Sequence, residues 1–177
     1  FSSEFLRFNS QVSGYIPLGD GGWSIALSVA AGYNLQLTSD SVTYPDRLFY
    51  LGGVSNIRGF QVDSVVPQDL ADQVVSGEID LAAVGVRGGN VYVNPRLEFR
   101  IPVTSLVSTG LFLDSGNVWS DPDVIRDADD LFTFRYTAGA GARFATPVGP
   151  IAFDVGFPLR RYEWEDVAAV HLGIGLF

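Results

Sequence analysis

Residues 90–102 alternate apolar and polar without a break. Val91, Val93, Pro95, Leu97, Phe99 and Ile101 fall on one side, and Tyr92, Asn94, Arg96, Glu98 and Arg100 on the other. A period of two is the strand period, and three charges on one face turn that face to water. The same rhythm runs over 22–37, where Trp23, Ile25, Leu27, Val29, Tyr33, Leu35 and Leu37 oppose Ser24, Ser28, Asn34 and Gln36. It returns over 131–146, with Phe132, Phe134, Tyr136 and Phe144 against Thr133, Arg135, Thr137 and Arg143. Over 150–160, Ile151, Phe153, Val155, Phe157 and Leu159 oppose Ala152, Asp154, Gly156 and Arg160. Three further strands fit at 3–17, 106–119 and 168–177, the first less cleanly. The pattern predicts an all-β chain of about seven two-faced strands.

Several of these strands pass ten residues, whereas globular strands average about 5–6 and a tilted membrane-crossing strand needs about 9–11. The connections alternate in length. Short turns fall at 18–21, 102–105 and 147–149, and long loops at about 38–88, 120–130 and 161–167. Outer-membrane barrels have this asymmetry, with short periplasmic turns and longer outer loops. Tyr15, Trp23, Trp119, Phe132, Phe134, Tyr162 and Trp164 lie near strand ends, where aromatic rings suit a membrane–water interface. A soluble antiparallel sandwich would also alternate, with its apolar face inward. It would have to hold such long strands and a loop of about fifty residues, which compact domains seldom do.

The composition narrows the choice. Among 177 residues nearly half are apolar, yet no run approaches the length of a spanning helix. Gly and aromatic residues are abundant. The net charge of −9 argues against nucleic acid as a partner. With no cysteine, disulfides and thiolate metal sites are excluded. Fifteen of the twenty acidic residues lie in the long loops, so the acidity belongs to exposed connections rather than to the strands. Seven strands would leave two bare edges, which lipid does not tolerate. The expectation is therefore a piece of a larger barrel, closed by upstream sequence or by another chain.

The sharpest candidate chemistry is Leu51-Gly52-Gly53-Val54-Ser55-Asn56-Ile57-Arg58-Gly59-Phe60, inside the longest loop. Gly52, Gly53 and Gly59 allow backbone shapes closed to other residues, and Arg58 offers a rigid fork of donors suited to carboxylates. Taken alone, Arg58 could equally be a solvated loop residue. This loop resembles the signature loop of the BamA/TamA superfamily (the bacterial surface antigen type), outer-membrane barrels that insert or export other proteins. The resemblance extends to Pro95-Arg96-Leu97-Glu98-Phe99, to Leu113-Asp114-Ser115-Gly116-Asn117-Val118-Trp119 and to Thr146-Pro147-Val148-Gly149-Pro150-Ile151. It covers most of 45–177, while residues 1–44 match only as alternating strands.

The resemblance implies an antiparallel transmembrane β-barrel of roughly sixteen strands, of which 1–177 would supply the C-terminal part. Further strands and periplasmic POTRA domains would lie upstream. It implies that the loop folds back into the lumen, where Arg58 bonds Glu98 and Asp114 on the inner wall. It also implies residence in the bacterial outer membrane, unfolded outer-membrane protein clients, and periplasmic or lipoprotein accessory subunits, with no cofactor and no reaction catalysed. The terminal strand 168–177 carries His171, Gly173 and Gly175 and ends at Phe177. A last strand ending in Phe is similar to the outer-membrane targeting signal. By the same resemblance this strand forms a lateral seam with the first strand of the barrel, weakened by its glycines; an ordinary terminal strand is the alternative. Two other functions stay open: a polypeptide-secretion pore of the two-partner type, or a passive channel.

Catalysis finds little support. His171 is the only histidine, which excludes a multi-histidine metal site. A dyad of His171 with Asp166 at the outer rim, and an acid–base pair of Glu98 with Asp114, are the remaining options. The Asp-rich segment 121–130 lacks the ligand spacing of an EF-hand and reads better as a solvated loop.

Overall fold

The computed structural model describes residues 3–147 and 149–174. Seven strands form one sheet in chain order, each antiparallel to the next. They are β1 (Phe5–Leu18), β2 (Trp23–Gln36), β3 (Val91–Pro102), β4 (Val107–Trp119), β5 (Arg135–Phe144), β6 (Ile151–Pro158) and β7 (Ala169–Ile174). All three short turns fall at one end of this meander and all three long loops at the other. The registers put Asp114 opposite Arg96 and Thr137, and Asp154 opposite Gly141 and His171.

Which face is covered separates a membrane barrel from a soluble sandwich. Here the apolar face is bare: Val12 is 71 % exposed, Leu111 57 %, Phe157 52 % and Leu172 69 %. From β3 to β7 much of the polar face is shut away, with Asn94, Glu98, Asp114, Thr137, Asp154 and His171 all buried. A water-soluble sheet would bury the first set and solvate the second. A barrel wall in lipid does the reverse, because hydrocarbon is the solvent of its outer face. The sandwich is thereby ruled out. No helix among the described residues is long and apolar enough to cross a membrane.

Strand boundaries depart from expectation where side chains intervene. The strand expected from 131 begins at Arg135. Asn117 of β4 donates its side-chain amide to the Thr133 carbonyl at 2.8 Å and to Gln68 Oε1 at 2.7 Å, so the chain leaves the ladder there. Phe132 and Phe134 instead stack edge to face, at 5.6 Å, with Tyr136 next in line at 6.4 Å. A short helix, α2 (Ala128–Leu131), precedes them. Trp119 is another correction. It is 2 % exposed and so cannot be a rim residue, because the last residues of β4 are enclosed on both faces. Of the terminal-strand residues, Gly175 and Phe177 lie outside the described residues.

The loop at 38–88 is a folded unit. A bridge between Phe49 and Gly89 ties its ends. Leu51, Ile57, Phe60 and Val65 pack with Val118 of β4, and Tyr92 of β3 adds to them, so the apolar core of this half-barrel sits in the lumen. The loop also carries a helix, α1 (Gln68–Ser76), that the periodicity did not predict. Its stop signal is nonetheless present: Gly77 takes φ 78° and its N–H closes on the carbonyls of Gln73 and Val74.

Candidate functional site: a loop tip seated on the inner wall

Gly52 and Gly53 open the tip at φ 110° and 108°, a region that side chains disfavour. The turn they make is closed by its own backbone and by Asn56. Gly53 N–H donates to the Phe60 carbonyl at 3.0 Å. Asn56 Oδ1 accepts from the N–H groups of Gly52 and Ile57, both at 2.7 Å. Ile57 and Phe60 are buried as anchors, which leaves Arg58 between them to project at the wall.

Arg58 is 2 % exposed and all three of its side-chain nitrogens are engaged. Its Nε and Nη2 donate to the two oxygens of Asp114 at 2.8 Å each, a bidentate pair, and its backbone N–H adds a third bond to that carboxylate at 3.1 Å. Its Nη1 donates to Glu98 Oε2 at 2.5 Å. Beneath the guanidinium lies the Phe112 ring, 3.6 Å from its centroid, a cation–π contact out of reach of water. Burial works against the Arg58 charge. The hydrogen bonds and charges of Asp114 and Glu98 outweigh it, and the pKa stands above the ordinary arginine value. The guanidinium is held charged in place.

The acids are shared with arginines of the wall. Glu98 also accepts from Arg143 at 3.1 Å and from Arg100 at 2.9 Å. Arg143 binds Asp154 at 2.6 Å, and Asp154 lies 3.8 Å from Arg58 Nη1. Arg96 sits 3.6 Å from Asp114 and donates to the Ser55 carbonyl of the loop at 2.7 Å. Four guanidinium groups and three carboxylates thus interlock across β3, β4, β5 and β6. Buried charges survive only when paired in this way.

The backbone of the tip presses on the next strands. A Cβ on Gly59 would overlap Thr137 of β5, and a Cβ on Gly156 of β6 would overlap the Arg58 carbonyl. Glycine at both positions is what lets main chain lie against main chain. On β7, His171 Nε2–H donates to that same carbonyl at 3.0 Å.

The structure brings Arg58, Glu98 and Asp114 together and sets Gly52, Gly53, Ile57, Gly59 and Phe60 around them. Gly173 faces inward on β7, paired with Ala152. The parts that sequence reasoning missed are Phe112 and Gly156. Arg143 and Asp154 were legible as inward-facing, but only the register joins them to the tip. His171 is committed to Arg58, while Asp166 is exposed and no hydrogen bond joins the two among the described residues, so the proposed dyad does not form. Glu98 and Asp114 are saturated by arginine, which leaves neither as an acid–base pair. Among the described residues no group of three His, Cys, Asp or Glu side chains could hold a metal ion. In the acidic segment, Asp121 and Asp127 instead accept from nearby backbone N–H groups.

A second cluster lies toward the long-loop end. Arg135 of β5 pairs with Glu165 of the β6–β7 loop and stands 4.5 Å from the Tyr162 ring and 5.0 Å from the Phe60 ring. Tyr162 stacks on Trp164 at 4.6 Å, and its hydroxyl accepts from Gln68 of α1 at 3.1 Å. Asp69 of α1 accepts from the backbone N–H of Ser120, pinning the helix to the end of β4.

Comparison with known proteins agrees with this architecture. The family model for the Omp85 superfamily domain matches residues 2–177. The outer membrane protein assembly factor BamA of Neorickettsia risticii is 24 % identical over 175 residues, covering 97 % of this chain and 22 % of its own length. BamA of Neisseria meningitidis serogroup B is 23 % identical over 154 residues, covering 72 % of this chain and 18 % of its own. The crystal structure of Haemophilus ducreyi BamA lacking POTRA domains 1–3 superposes with a TM-score of 0.73 at 24 % identity, covering 96 % of this chain and 34 % of that one. The chain therefore spans about a fifth of the length of the curated relatives it matches. With the match extending over nearly every residue and the wall built for lipid, the chain belongs to the Omp85 superfamily of integral outer-membrane β-barrels.

Proposed function

We propose that this chain is the C-terminal part of a barrel that assembles other proteins into the bacterial outer membrane, and that it does so without a chemical reaction. The clients are unfolded outer-membrane proteins. Strands that complete the barrel, together with periplasmic POTRA domains, lie outside this chain, and accessory subunits bind there. The observation that carries the reading is the seated tip: a loop arginine, fully buried and fully bonded, ties a plug inside the lumen to successive wall strands. A plug bonded this firmly should leave little steady conductance, whereas a passive channel would conduct.

In this mechanism β7 is the lateral seam. Its outer edge faces the strand outside this chain that closes the barrel, and opening of that pairing bares the edge. Such an edge presents unpaired N–H and C=O groups that an incoming strand can add to by β-augmentation. Gly173 offers little side chain to lock that edge. The Arg58 cluster braces the wall while the edge is open.

The test is reconstitution of the full polypeptide in liposomes, scored for folding of an unfolded outer-membrane client. Paired samples carry a disulfide engineered between β7 and the strand that faces it across the seam. Client folding that the lock abolishes and a reductant restores is the expected result. Absent client folding, with ion or polypeptide flux indifferent to the lock, would replace this reading with a pore.

A further inference from the structure

β7 is an edge strand with one polar side chain on its inward face among the described residues. It pairs with β6 alone among the described residues. Its outward side chains, Val170, Leu172 and Ile174, are all more than half exposed and touch the lipid side. Its inward residues are Ala169, His171 and Gly173. Alanine and glycine cannot form a side-chain hydrogen bond, so among the described residues a side-chain polar tie from this strand to the lumen runs through His171. That tie exists, and its acceptor is the carbonyl of Arg58, the residue whose side chain and backbone N–H are bonded to β3 and β4.

We infer that His171 is a positioning residue that latches the edge strand to the loop tip, so that seating of the tip and closure of the seam are one coupled event. The Arg58 carbonyl is well placed for the role. Its far side is blocked by Gly156, whose missing side chain lets the tip lie directly on β6. The bonds of the Arg58 side chain to Asp114 and Glu98 hold that carbonyl in place. A tip that lifts therefore takes the acceptor away from His171, and β7 loses this tie beyond its backbone ladder to β6. Coupling of this kind is reciprocal: a client strand that draws β7 outward breaks the same bond and loosens the tip. The inference rests on the reading of β7 as a seam, and it is tested by a readout independent of client folding.

The experiment is amide hydrogen exchange over residues 169–174 in the full polypeptide reconstituted in liposomes, with exchange over β3 and β4 as the internal control. His171→Phe keeps a ring and removes the donor. Exchange in β7 should rise about five- to ten-fold, the range for one net hydrogen bond, with β3 and β4 unchanged. His171→Gln keeps an N–H donor and should return β7 to within about two-fold of the wild type. Arg58→Ala should speed β7 exchange in the wild-type background and add nothing further in the His171→Phe background, because the two changes break one link. Unchanged β7 exchange in His171→Phe, a glutamine variant as fast as the phenylalanine one, or additive effects in the double variant would each overturn the latch. A wild type that folds no client but shows the expected exchange pattern would keep the latch and discard the insertase reading.

Discussion

Two arginines fasten the long loops to the wall, and they do so in opposite ways. Arg58 comes from a loop and is received by the wall, whereas Arg135 comes from the wall and is received by a loop. Arg58 has every side-chain nitrogen bonded, with two carboxylates and an aromatic face around it. Arg135 is as deeply buried, yet its Nη1 has no hydrogen-bond partner, and neither do Glu165 Oε1 and Trp164 Nε1 beside it. Arg96 Nε and Arg143 Nε in the wall beside Arg58 also lack a partner, so the contrast lies in the two arginines themselves: a fully bonded one holds its surroundings, and a partly bonded one marks where a structure yields first. The contrast assigns the tip as the fixed point of the lumen and the β6–β7 loop, which leads into the edge strand, as the part that gives.

The largest effect should follow removal of the fixed point. Arg58→Ala takes from Asp114 its bidentate partner and leaves it only Arg96 at 3.6 Å, while Glu98 keeps Arg143 and Arg100, and losing one partner of a buried pair costs about 3–5 kcal/mol. The loop at 38–88 should become sensitive to protease and client folding should fall. A variant that keeps the loop protected would mean that Ile57 and Phe60, not the arginine, hold the tip.

Arg135→Gln should cost less, about 1–3 kcal/mol, because the wild-type cluster already carries unmet donors and acceptors. Tyr162 N–H still serves Glu165 after the change. Protease cleavage within 159–168 should rise while the 38–88 loop stays protected. Equal losses at both loops would erase the distinction drawn between the two arginines.

The smallest effect concerns α1, which joins the clusters through Gln68. Burial raises the Asp72 carboxyl above its ordinary pKa of 3.8, and the nearby charge of Asp69 pushes the same way against the hydrogen bond from Gln68. With the folded pKa above the unfolded one, the contribution of Asp72 is most favourable below 3.8 and is lost as pH rises through the raised value. Asp72→Asn should therefore slow exchange in α1 slightly at neutral pH and flatten its acid dependence. Faster exchange in that variant would show that the carboxylate charge itself supports the helix.

Much of the wall could be read in advance. Alternation at period two is dictated by strand geometry, so the inward set Asn94, Glu98, Asp114, Thr137 and Asp154 follows from sequence once one face is seen to be lipid-facing. The tip was legible through its resemblance to the BamA/TamA signature loop, since from the residues alone Arg58 could equally have been solvated. Helix α1 escaped notice because its nine residues span too few turns for a 3.6-residue period to stand out within a long loop. The start of β5 was misplaced because one amide, on Asn117, captures the backbone that the alternation would have kept in the ladder.

The sequence by itself determined the class of fold, the two faces of each strand and the residue types available for an ion-pair brace. These are local matters of periodicity and side-chain chemistry. Which acid meets which arginine is not local. Arg58 lies 40 residues from Glu98 and 56 from Asp114, and 113 from His171. Only strand register and the depth to which the loop folds back could bring these groups to within hydrogen-bond distance. Tertiary structure alone therefore decided that one loop carbonyl and one guanidinium should touch the wall from β3 to its edge.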